Sequence, residues 1–187
     1  MQDYWRAEGG VFELREIGVR SIAVGALVAA LYAALTIWLA PLSYGPVQVR
    51  VSEALTVLPF LVPAAVPGLF LGCLIANLYG GLGPWDIFAG SLLTLAAAYL
   101  TYLLRKTHRP WLAPLPPVVI NAFGVSAYLQ LLFEPPKMSI LGNLPGYFIF
   151  VITVGLGELV ACCVLGLPLL YVLRGLVGGS TEEPHIG

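Results

Sequence analysis

Charge is scarce in this sequence. Ten acidic and nine basic residues make up 10% of the 187-residue chain, against roughly 25% in a soluble domain, while 59% of it is hydrophobic and its mean hydropathy is +0.90. That balance excludes an ordinary soluble fold and reads as an all-α integral membrane protein crossing the bilayer several times. A basic stripe is missing too, and with a net charge of −1 nothing in the chain suits nucleic acid. The three cysteines, Cys73, Cys162 and Cys163, lie inside apolar runs without C-x-x-C spacing, so they read as reduced packing residues. The two histidines, His108 and His185, fall in a basic loop and a tail, out of reach of an intramembrane metal site or a Ser-His-Asp relay. No G-x-x-x-x-G-K-[ST] occurs, so the chain has no P-loop for ATP, and Gly81 and Gly83 form only half of a dinucleotide fingerprint with no strand before them. These absences leave no catalytic residue, metal site or cofactor in view, and an intramembrane enzyme would have no base, metal or nucleophile to work with.

What is present is a series of apolar runs long enough to span. Ser21 to Leu42 forms the first crossing, at about 20 residues per span. Next, Val47, Val49 and Val51 alternate with Gln48, Arg50 and Ser52 in an extended period after the Gly45-Pro46 turn, and Ser52 is placed to cap the helix that follows. The stretch from there to Gly83, interrupted by Pro59, Pro63 and Pro67, is too short for two full crossings, so it reads as two short helices turning near Pro63 to Pro67. A fourth helix opens at Pro84-Trp85-Asp86, a fifth runs from about Leu115 to Phe133, and a sixth from Gly146 to Leu173.

The chain therefore divides into an N-terminal segment (1–20), with residues 11 to 20 suited to an interfacial helix, a six-helix transmembrane unit (21–174), and a polar tail expected to be disordered (175–187). Six spans place both termini and the basic loop from Arg105 to Arg109 on one side, the cytoplasmic side by the positive-inside rule.

Polar residues inside these runs mark the candidate site. Arg50 and Glu53, three residues apart between two apolar runs, need each other, water or a polar ligand, although charges at helix ends also snorkel. Asn77 and Asp86 fall in the outer half of the membrane, and Asn121 and Tyr128 share a face of the fifth helix. Glu158 lies deep in the last span beside Gly155, Ala161 and Cys162, whose small side chains leave room for a cavity. Carboxylates, amides and aromatics around an outward cavity suit a small polar or aromatic solute rich in donors. A solitary proton-coupled carrier, with Glu158 or Asp86 shuttling the proton, fits the same residues.

Several blocks are distinctive: Gly45-Pro46-Val47-Gln48-Val49-Arg50-Val51-Ser52-Glu53-Ala54-Leu55, the run from Pro67 to Gly81, Asp86-Ile87-Phe88-Ala89-Gly90-Ser91, Pro116 to Ala122, and Gly157-Glu158-Leu159. Together they resemble the QueT family over roughly Ser21 to Leu173. The resemblance implies a bacterial cell-membrane protein with the six-helix bundle of the substrate-binding S components of energy-coupling factor (ECF) transporters. Such a protein would capture a queuosine precursor, a 7-deazaguanine-type base, from outside. It would rely on a partner module of one transmembrane coupling protein and two ATPases, which accounts for the missing P-loop. Small residues on the first helix dock the coupling protein in S components, and Ala26, Ala29, Ala30, Ala33 and Ala34 match that description. For the base itself, Glu158 is placed to accept the ring N–H and exocyclic amine, Asn121 or Asn77 to donate to the ring carbonyl, and Tyr128 or Trp85 to stack. Asp86 or Glu53 would meet an aminomethyl cation, and an Arg50–Glu53 pair would hold the Val47 to Val51 segment over the pocket.

Overall fold

The computed structural model describes residues 18–45, 48–136 and 144–178. The expected interfacial segment before residue 18 and the tail beyond residue 178 lie outside the described residues, as do Pro46 and Val47. Every regular element among the described residues is helical: α1 (Val19–Trp38), α2 (Ala40–Ser43), a 3₁₀ helix (Val51–Phe60), α3 (Ala65–Gly80), a π-helical segment (Trp85–Gly90) running into α4 (Ser91–Leu104), α5 (Leu115–Leu132), and α6 (Gly146–Leu159), joined through a second π segment (Val160–Gly166) to α7 (Leu167–Gly178). The last helix continues to Gly178, four residues past the Arg174 boundary expected from the sequence.

Among the described residues, four helical stretches are long and apolar enough to cross a membrane, Val19–Trp38, Trp85–Thr107, Pro110–Leu132 and Gly146–Leu176. The other two are shorter, as the prolines between Pro59 and Pro67 require. Ten residues of 3₁₀ helix cover about 20 Å, and the sixteen of α3 about 24 Å, so neither alone fills a hydrocarbon layer of about 30 Å.

Large apolar side chains such as Leu27, Leu71, Ile75, Leu92, Phe123 and Val164 face outward, while Thr36, Ser52, Glu53, Thr56, Asn77, Asp86, Thr94, Asn121 and Glu158 are buried. An apolar exterior around a polar interior is the distribution expected where hydrocarbon is the solvent.

Small residues bring α1 and α3 together. Gly25 and Ala29 on α1 meet Gly68 and Gly72 on α3, both pairs at the four-residue spacing that lets backbones touch. A Cβ at Gly68 would lie 2.5 Å from the Gly25 carbonyl oxygen, and one at Gly72 would lie 2.7 Å from that of Ala29. Ala29 and Ala33 are thereby buried within the chain, whereas Ala26, Ala30 and Ala34 remain on the outer face of α1.

The 3₁₀ helix is the axis of the bundle, and every residue from Ser52 to Phe60 is buried. Runs of 3₁₀ longer than three or four residues are uncommon, because side chains three apart eclipse one another. Here the eclipsing is used. Leu55 and Leu58 form one row, packed with Val28, Tyr32 and Leu69. Val57 and Phe60 form a second, packed with Ala113 and Leu170. Glu53 and Thr56 form the third, which faces Cys162. A narrow helix with three straight rows thus serves three neighbours at once. Ser52 does not act as an N-cap; it lies inside the helix, and its hydroxyl pairs with Thr36 Oγ1 at 2.6 Å.

Because the α1–α3 crossing rests on backbone contact, Gly72→Val is expected to cost about 1–3 kcal/mol through overpacking, read as a lowered thermal midpoint in detergent. Gly175→Ala, where a Cβ meets nothing within 4 Å, is the control expected to leave the midpoint unchanged. Equal midpoints for Gly72→Val and wild type would show that the helices do not cross at Gly72.

Candidate functional site

Arg50 leads into the 3₁₀ helix in an extended conformation, and its side chain is almost wholly buried. A dry guanidinium needs acceptors around it. Its Nε donates to the Ser43 carbonyl at 3.2 Å, Nη1 to Asn77 Oδ1 at 3.0 Å, and Nη2 to Asp86 Oδ1 at 3.4 Å. The Tyr44 ring lies 5.6 Å from the guanidinium carbon, within cation–π range. Tyr44 is fixed in turn by its hydroxyl on the Ala76 carbonyl at 2.6 Å, with its ring against Gly80.

Asp86 and Asn77 complete this anchor. Asp86 Oδ1 also accepts from the Tyr128 hydroxyl at 2.9 Å, and Asn77 Nδ2 donates to the Asp86 carbonyl at 2.7 Å. The expected Arg50–Glu53 pair does not form: among the described residues the ion pair of Arg50 is with Asp86, and Glu53 instead accepts from Tyr32, buried on α1.

Behind the anchor lies a small, buried cavity of about 10 Å³ bounded by Gln48, Arg50, Glu53, Gly90, Thr94, Asn121, Val125, Tyr128, Val154 and Glu158. That is room for about one water, not for a heteroaromatic ring. Glu158 crosses it from the end of α6, where Oε1 accepts from Asn121 Nδ2 at 2.9 Å and Oε2 faces the Cys162 thiol at 3.5 Å. The same thiol lies 3.4 Å from the Glu53 carbonyl oxygen, tying the last span to the 3₁₀ helix. Two carboxylates, Glu53 and Glu158, therefore line one small space, and its one guanidinium is already paired with a third, Asp86.

Of the residues singled out in the sequence, Arg50, Glu53, Asn121, Tyr128 and Glu158 line the cavity. Asn77 and Asp86 stand behind Arg50 and Tyr128 as their partners. Trp85 is 58% exposed and belongs to an apolar lateral groove with Leu92, Leu93, Gly124 and Leu131, which shares Tyr128 with the polar cavity. Sequence reasoning missed Gln48, Thr94 and Tyr32. Thr94 shares a helical face with Asp86 and Gly90, and Gln48 alternates with Arg50, so both carried a signal; a tyrosine among alanines on α1 carried little.

The QueT transporter family model matches residues 22–175 of the chain. The queuosine precursor transporter QueT of Lactococcus lactis subsp. cremoris (strain MG1363) is 40% identical over 82 residues, which cover 42% of this chain and 47% of that protein. The aligned stretch thus spans about half of the relative's length. No solved structure matches the chain.

Replacing Asp86 by leucine strands the Arg50 charge, and breaking a buried pair from one side costs about 3–5 kcal/mol. Thermal unfolding of Asp86→Leu is expected to show that loss, and the double replacement Arg50→Met with Asp86→Leu to recover most of it. A double variant no more stable than Asp86→Leu would mean that Asp86 does not hold Arg50.

Proposed function

The chain belongs to the QueT transporter family, and on that premise we propose that it is the substrate-binding S component of an ECF-type importer, capturing a queuosine precursor of the 7-deazaguanine type from outside the cell. It is a transporter and not an enzyme. The observation that carries the substrate reading is the buried cavity with Glu53, Asn121 and Glu158 on its walls and Tyr128 beside them. A deazaguanine edge presents a ring N–H next to an exocyclic amine, which one carboxylate can accept together. An aminomethyl cation on such a base would balance the second carboxylate, and Tyr128 would stack on the ring.

In this reading six helices cross the bilayer, the 3₁₀ helix and α3 serving as a short pair, with both termini cytoplasmic. Ala26, Ala30 and Ala34, on the open face of α1, would dock the transmembrane coupling protein, which joins two ATPases; Ala29 and Ala33 would support that face from within. Residues 48–50 must shift to admit a base, because the cavity beside them is too small for one. Their latch is Arg50 on Asp86 rather than on Glu53. The buried carboxylates Glu53 and Glu158 also suit a solitary proton-coupled carrier; copurification with ATPase subunits would favour the S component and pH-driven uptake by the chain alone the carrier.

Titration of the purified chain with 7-deazaguanine is the test. Saturable binding is expected, weakened at least about tenfold by Glu158→Gln, since charge-assisted hydrogen bonds contribute about 1.5–3 kcal/mol each. The loss should be smaller for an analogue lacking the exocyclic amine, and equal losses would place Glu158 outside the base-reading set. On the docking side, Ala30→Trp is expected to abolish uptake in cells while leaving titrated binding intact; loss of both would assign that face to internal packing.

A further inference from the structure

Buried polar atoms nearly always have partners, so those that lack one inside a cavity describe the complement they are built for. Three residues on the cavity wall carry such an atom: Gln48 Nε2, Glu53 Oε2 and Asn121 Oδ1 have no hydrogen-bond partner among the described residues, and none of the three residues is more than 5% exposed. Two of these atoms accept and one donates. The site therefore asks for a solute offering donors on one side and an acceptor on another.

The donor is the informative one. Of the asparagines proposed from the sequence, Asn77 spends both N–H groups of Nδ2 on the Asp86 carbonyl and Cys73 Sγ, and Asn121 directs one N–H of Nδ2 to Glu158. Each guanidinium nitrogen of Arg50 already has its acceptor. Gln48 Nε2 is the donor nitrogen on the wall with no acceptor at all among the described residues.

Its position is tightly set. The Gln48 carbonyl lies so close to Gly157 that no Cβ fits there, the Val49 N–H donates to the Leu42 carbonyl at 3.0 Å, and Arg50 is anchored on Ser43, Asn77 and Asp86. With these contacts in place, residues 48–50 are held between the end of α2 and the last span, one residue from Glu158, and that position aims the Gln48 side chain.

We infer that Gln48 is a specificity-determining residue whose side-chain amide donates to the ring carbonyl of the bound base, with Glu53 and Asn121 accepting from its N–H groups. The inference rests on the substrate reading above and adds to it the residue that tells an oxo base from an amino base. Gly157 is the positioning residue that lets the amide reach.

The experiment is a two-by-two binding cycle by titration on purified protein. Wild type and Gln48→Glu are each measured with 7-deazaguanine and with its analogue bearing an amine in place of the ring carbonyl. The change of base alters the adjacent ring nitrogen for both proteins alike, so that effect cancels in the cycle. A glutamate at residue 48 opposes the carbonyl but accepts from the amine, so the preference for the oxo base is expected to fall at least about tenfold. A second variant, Gln48→Met, keeps the volume and removes the donor; it should weaken the oxo base and leave the amino base unchanged. Preferences within about twofold of wild type in whichever variant stays monodisperse would overturn the role of Gln48 while leaving the substrate reading in place. Failure of wild type to bind either base would overturn both.

Discussion

A guanidinium held away from water needs a counter-charge and acceptors or it destabilises whatever contains it, and the arrangement around Arg50 follows from meeting that demand. Three acceptors from three parts of the chain converge on it: the Ser43 carbonyl at the end of α2, Asn77 on α3 and Asp86 in the π segment before α4. Meeting the demand draws these elements together at one place, and Tyr128 on Asp86 adds α5. The backbone around Arg50 becomes a clamped strap, and behind that strap lies the cavity.

The regular α-helix is abandoned where this site is built. Glu53 sits on a 3₁₀ helix, Asp86 and Gly90 on a π segment, and Cys162 on another directly after Glu158. Local departures from α geometry turn side chains away from the faces that a 3.6-residue repeat would give them, and π segments concentrate at functional sites for that reason. The three-row packing of the 3₁₀ helix extends the idea, since one row can be polar while the other two fill apolar cores. The small size of the cavity is the cost of this arrangement, with room for about one water behind the strap.

Much of this was legible in the sequence. Apolar runs and prolines located each helix to within a few residues, including the short pair, because length and the missing proline N–H are local properties. The polar residues of those runs did converge, since a charge among apolar residues has few places to go. Their partners were harder to read. Arg50 and Glu53 are three apart and look like a pair, yet Arg50 reaches Asp86, 36 residues on, and Glu53 reaches Tyr32, 21 residues back. An extended strap followed by a 3₁₀ turn rotates the two side chains apart, and neither conformation can be deduced from spacing alone. The alanines of α1 show the same limit: composition marked a flat helix, but only the crossing with Gly68 and Gly72 separates Ala29 and Ala33, inside, from Ala26, Ala30 and Ala34, outside.

The account turns on where the base binds, and an experimental structure of the purified chain saturated with 7-deazaguanine measures that directly. The ring is expected between Glu53, Asn121 and Glu158, with residues 48–50 closed over it and the cavity enlarged to its shape. Density for the ring in the lateral groove beside Trp85 and Leu92, with the polar cavity unchanged, would contradict the account.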